Sequence, residues 1–146
     1  MCMTVHREFD GSTDTPAAAR RFGCAAVIAA LRPSGWDVAD DAEIVISELV
    51  TAAVRAGAHR VELLVDLHHD RLEISVTDDR AALEPSDPAG PSEATASTSS
   101  QILTALTTHR GARTDDDGRT VSWAELGCDP SATTLVTCAE TAGSRR

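Results

Sequence analysis

The stretch "RVELLVDLHHDRLEISVTDD", residues 60 to 79, decides the fold. Val61, Leu63, Val65 and Leu67 occupy every second position, and Leu72, Ile74 and Val76 do the same after a break at His68 to Asp70. A period of two puts each set on one side of a pleated strand, and the short polar break between them reads as the turn of an antiparallel hairpin. Such a hairpin has an apolar face that other elements must cover. The doublet His68-His69 falls in the turn, where adjacent side chains point to opposite faces and no third ligand is in reach, so it reads as a solvated turn and not as a metal site.

The cover comes from upstream. Ala42, Val45, Ile46, Leu49, Val50 and Ala53 repeat at helical spacing, and Asp40 and Asp41 sit near the positive end of that helix. Within "ISELVTAAVRAGA", residues 46 to 58, Glu48 falls on the flank of the stripe. Ala52 and Ala56 form a second row that suits a close-packed neighbour, although alanine's helix propensity explains it as well. An earlier helix is predicted from Pro16 to Leu31, capped by Asp14 or Thr15 and closed by Pro33, Ser34 and Gly35. Its apolar stripe reads as Ala18, Phe22, Ala25, Ala26 and Ala29. "TVHREF", Thr4 to Phe9, makes a short first strand.

Downstream, residues 80 to 100 are rich in Pro, Ser, Ala and Thr without apolar periodicity, and read as a long loop. A helix with Ile102, Leu103 and Leu106 as core residues follows, then a turn at "DDDG". That turn is oxygen-rich but lacks the spacing and final glutamate of a calcium-binding hand. "RTVSWAEL", Arg119 to Leu126, is a last strand that sets Val121, Trp123 and Glu125 against Thr120, Ser122, Ala124 and Leu126. The expected organisation is one domain over residues 1–127, with 80–100 as a lid-like loop and 128–146 as a partly disordered extension in which "TTLVTC" adds one short element. The expected fold class is an α+β two-layer sandwich, a mostly antiparallel sheet covered on one face by helices.

Composition narrows the functions. Aromatic residues are only 3% of 146, so the core has to be built from Ala, Val, Leu and Ile. A formal net charge of -10 repels a phosphate backbone, which argues against direct nucleic-acid binding. The longest apolar run, "CAAVIAAL" from Cys24 to Leu31, is far short of the roughly 20 residues that span a bilayer, so no membrane partner is expected. Cys2, Cys24, Cys128 and Cys138 show no C-x-x-C spacing and follow no apolar signal segment; reduced cysteines and a cytoplasmic location are expected.

The element order, together with "SELVTAAV", "LEISVTDD" and "GRTVSWAEL", resembles small actinobacterial proteins of the Bergerat (GHKL) ATPase superfamily, relatives of the anti-sigma-factor serine kinases. The resemblance spans roughly Thr4 to Leu126. The family's second helix reads E-L-V-T-N-A-x-x-H, with the glutamate as general base and the asparagine helping to hold magnesium. Glu48, Leu49, Val50, Thr51 and Ala53 match it, whereas Ala52 and Ala56 replace the asparagine and the histidine. A methyl group offers magnesium no oxygen ligand. In the family's D-x-G-x-G, Asp78 takes the place of the aspartate that accepts from adenine, with Arg80 and Ala82 at the glycine positions. The glycine-rich phosphate lid corresponds to "TASTSSQIL", residues 95 to 103, where Ser99 and Ser100 are the candidate phosphate donors.

The resemblance implies ATP and magnesium as cofactors, but these substitutions strike metal, adenine side and lid together. The reading is therefore a regulatory protein-binding module without ATP hydrolysis or a resident cofactor, Glu48 being a vestigial base. Its implied partners are a sigma factor, an anti-anti-sigma factor or another developmental regulator, and the implied assembly is a homodimer. An ATP/Mg-dependent serine kinase, or a nucleotide sensor without turnover, is the alternative.

Overall fold

The computed structural model describes residues 3–81 and 101–132. Its elements are β1 (Met3–Asp10), α1 (Thr15–Ala30), a 3-10 turn at Pro33–Gly35, α2 (Trp36–Arg55), β2 (Arg60–Leu67), β3 (Arg71–Ala81), helical residues 101–106, β4 (His109–Thr114), β5 (Arg119–Gly127) and a second 3-10 turn at Pro130–Ala132. The five strands form one antiparallel sheet in the order β1-β2-β3-β5-β4.

The central hairpin forms as its alternation predicts. Val61, Leu63, Val65, Leu67, Leu72, Ile74 and Val76 are all buried, and the register pairs Val65 with Ile74. Residues opposite one another share a face, so Ala124 and Leu126 of β5 continue this inner row beside Ile74 and Leu72. On the other face, Trp123 and Val121 stand beside Ser75 and Thr77. Helices α1 and α2 cover the inner row. The predicted stripe of α2 is buried throughout, with Ala39 added at its start.

Helix α1 turns a different side to the sheet from the one its alanines suggest. Its buried residues are Thr15, Ala19, Gly23, Val27 and Ala30, while Ala18, Phe22 and Ala26 are half-buried and Ala25 and Ala29 are exposed. The reason is close packing. A Cβ at Gly23 would lie 2.4 Å from Ile46 Cδ1, so the absent side chain lets α1 settle against the largest buried residue of α2. Phe22 takes the flank, edge-on to Phe9 with Arg7 stacked 4.5 Å above its ring. At the start of α1 Asp14 makes no side-chain cap; the buried Thr15 hydroxyl instead donates back to the Asp10 carbonyl at 2.5 Å.

Three other readings change. His68 is buried, not solvated: its Nε2 meets Asp66 Oδ2 at 2.9 Å, and Asp66 Oδ1 accepts the Thr4 hydroxyl at 2.8 Å across the β1–β2 pair. The loop expected from residue 80 begins later, because Arg80 and Ala81 belong to β3. Of the third helix's expected core residues, Leu103 is buried and Leu106 half-buried, but Ile102 is exposed. The "TTLVTC" segment and Ala82 lie outside the described residues.

Gly23→Leu is expected to cost about 1–3 kcal/mol by overpacking, seen as a lower urea midpoint with an unchanged slope. Adding Ile46→Ala to that variant should recover part of the loss; an additive loss in the double variant would show that the two residues do not share one space.

Candidate functional site

Asp78 is the chemically unusual residue of the sheet. It ends the inner row of β3 after Leu72, Ile74 and Val76, opposite the buried Val61, and is only 2% exposed. An ionised carboxylate taken this far from water has to be paired and hydrogen-bonded. Arg80 does both. Its Nε donates to Oδ1 at 3.0 Å, its Nη2 donates to Oδ2 at 2.7 Å, and its main-chain N–H donates to Oδ1 at 3.0 Å. The two side chains meet because residues two apart on a strand share a face, and the register of β3 with β5 shifts between Asp78 and Ala81, where the strand loosens. Both carboxylate oxygens are thus engaged from within the chain, by the residue standing where the resembled family has a glycine.

Glu48 is half-buried on α2, and its side chain makes no hydrogen bond or ion pair with any described residue. Ala52 and Ala56 are exposed. The neighbouring Leu49 lines a cleft of about 300 Å³ between α2 and the β4–β5 pair, together with Leu103, Ala112, Ser122 and Trp123, whose charged lining group is Arg110. Asp78 instead borders an open depression of about 270 Å³ shared with Glu8, Arg60, Glu62 and Arg119. Neither Glu48 nor Ala52 lines that depression. Ser99 and Ser100, the candidate phosphate donors, lie outside the described residues.

Several other polar groups are committed to structure. Asp79 is exposed, and its Oδ1 accepts the His59 amide at 2.9 Å. Asp115 closes the β4–β5 turn by accepting from the Asp117 and Arg119 amides and from Arg119 Nε, with Gly118 at φ +80 completing it. Cys24 is half-buried and Cys128 buried; burial first, then Glu43 for the one and Asp129 for the other, pushes both thiols above their usual range. Neither is primed as a thiolate nucleophile. Cys2 and Cys138 lie outside the described residues. No described helix is long and apolar enough to cross a membrane, and the described residues contain no cluster of three or more metal-ligating His, Cys, Asp or Glu side chains.

The sequence reading singled out Asp78 but missed its partner, and it missed the Thr4–Asp66–His68 line. The signal was there in both cases: D-x-R and D-x-H at a strand end put acid and base on one face. No protein-family profile and no curated protein matches the chain.

Arg80→Ala, which strands the buried Asp78 carboxylate, is expected to destabilise the protein by about 3 kcal/mol, and Asp78→Asn in the same chain to restore much of it. Chemical denaturation of the three variants reads this directly.

The acid limb of stability has its own source. Backbone N–H groups hold the carboxyls of Asp79 and Asp115 below the ordinary 3.8, and bonds from Ser12 and Ser131 do the same for Asp10 and Asp129. A lowered folded-state value means stability that is complete above 3.8 and lost as pH falls through the folded value. Melting temperature should therefore be nearly flat from neutrality to about pH 5 and fall below about pH 4, with a shallower acid limb in Asp115→Asn.

Proposed function

We propose that this chain is a regulatory protein-binding module of the anti-sigma-factor, partner-switching type, built on a Bergerat (GHKL)-like frame whose nucleotide site has closed. The observation that carries the reading is the Asp78–Arg80 pair. An adenine amino group would need an acceptor on Asp78, and both oxygens are already held by Arg80 at 2.7 and 3.0 Å. Displacing that guanidinium would leave the carboxylate to a weaker, uncharged donor inside an apolar row. Ala52 adds an independent reason, since a methyl group replaces the oxygen that magnesium needs. With neither adenine nor metal held, Glu48 has no positioned water to activate.

The partner is a sigma factor, an anti-anti-sigma factor or a related developmental regulator. The resemblance supplies that class, and the net charge of -10 suits a partner with a basic docking face. A serine kinase, or a nucleotide sensor without turnover, is the second reading. It is favoured by Glu48 itself, a carboxylate left unengaged among the described residues.

The test is the melting temperature of the purified chain with and without a large excess of ATP and magnesium. No change is expected, whereas a ligand at about a hundred times its dissociation constant would add about 2.7 kcal/mol. A magnesium-dependent rise would sink the closed-site reading. Titration with purified sigma factors of the source cell, followed by sedimentation, should give a complex that forms equally well without ATP.

A further inference from the structure

We infer that the outer side of the α1–α2 layer is a docking surface for an amphipathic helix of a partner protein, one with an aliphatic stripe and with lysines or arginines at one end. The inner sides of both helices cover the sheet, but their outer sides are not uniformly polar. Of the four large apolar residues exposed among the described residues, Ile28, Trp36 and Ile44 lie on these two helices, at 41%, 45% and 42%. They are gathered on one layer, where single scattered residues would carry no meaning.

Helix geometry draws the three together. Trp36, Asp40 and Ile44 are spaced i, i+4 and i+8, and so form one row along α2. Arg20 meets Ser47 at 3.4 Å and Cys24 meets Glu43 at 3.8 Å, so the helices run antiparallel. Ile28, one turn further along α1, comes level with Asp40, between Trp36 and Ile44. Beside it lies a groove of about 320 Å³ lined by Cys24, Ala25 and Ile28, with Arg20, Arg21 and Glu43 as its charged groups.

Charge is divided along this surface. Asp37, Asp40 and Asp41 crowd the first turns of α2 and make no ion pair among the described residues. Burial first, then Asp37 and Asp40, holds the Asp41 carboxyl above its ordinary range. Arg20 and Arg21 stand at the other end, where Arg20 is already engaged by Glu43 at 3.5 Å. A helix laid along the groove thus meets an apolar strip with an acidic, unneutralised end. Cationic side chains there relieve the repulsion among the three aspartates, and one of them can stack on the exposed indole of Trp36. Aliphatic anchors with a tryptophan and a charged rim suit recognition of a helix in a groove. An anionic lipid surface would be repelled by the same acids, which favours a protein segment over a membrane.

This surface gives the protein-binding reading a location and rests on that reading for its purpose, while its test involves no nucleotide. The chain has no tyrosine and two tryptophans, so Trp123→Phe leaves Trp36 as the reporter. The probe is a synthetic leucine–lysine peptide of about 18 residues, patterned with the helical period and free of aromatic residues. Titrated into the W123F chain at about 0.1 M salt, it should shift Trp36 emission saturably and one-to-one. Ile28→Ser with Ile44→Ser, and separately Asp37→Asn with Asp40→Asn, should each weaken binding about tenfold or more. These side chains are exposed, so the melting temperature should move little. Glu73→Gln with Asp116→Asn removes the same charge from the sheet side and should leave binding as it was. A matching leucine–glutamate peptide should not bind. An unresponsive Trp36, equal weakening by both charge pairs, or equal binding of the leucine–glutamate peptide overturns the docking surface. A magnesium-dependent rise in melting temperature with ATP would instead remove the closed-site reading and leave these outcomes as they are.

Discussion

One row of side chains, running from Val61 to Leu67 on β2 and from Leu72 to Val76 on β3, must be kept from water on a single side of the sheet, and much of the helical cover over it is alanine. Ala19, Ala39, Ala42 and Ala53 form much of the roof. Small side chains exclude water only if the backbones that carry them come close. That requirement brings α1 down onto α2 at Gly23 and Ile46. It also brings the end of the row, Asp78, into a setting where a carboxylate has to be fully partnered. The Asp78–Arg80 pair is thus a consequence of how the core is built.

Period-two alternation in the hairpin and the strong stripe of α2 were legible because each contrasts Leu, Ile and Val with charged neighbours. Helix α1 was not, since "TPAAARRFGCAAVIAA" contains so much alanine that several faces look equally apolar. The true face is marked by a glycine, which hydropathy does not register and which matters only against a particular neighbour. The strand character of Arg80 was hidden for a related reason: it precedes a Pro- and Ser-rich stretch whose composition overshadows the alternation of the last three strand residues.

The two buried polar groups near the ends of the central hairpin follow one rule. Asp66 with His68, and Asp78 with Arg80, are acid–base pairs two positions apart, each formed at one end of the hairpin. Around Glu48, helix α2 shows a different pattern: methyl groups at positions 52 and 56, and a carboxylate whose side chain no described residue engages. What is legible in the sequence is the chemistry of single residues; which of them meet is visible only in three dimensions.

The scarcity of aromatic residues gives the protein a simple optical character. It has no tyrosine and two tryptophans, so its near-ultraviolet absorption and emission are those of two indoles. Trp36 begins α2 and is 45% exposed, whereas Trp123 lies half-buried on the face of the sheet turned away from α1 and α2, against Gly111 of β4. The two chromophores thus sit on opposite layers and in different polarities. With Trp36 replaced by phenylalanine, the remaining emission becomes a single-site signal from β5, requiring no attached dye.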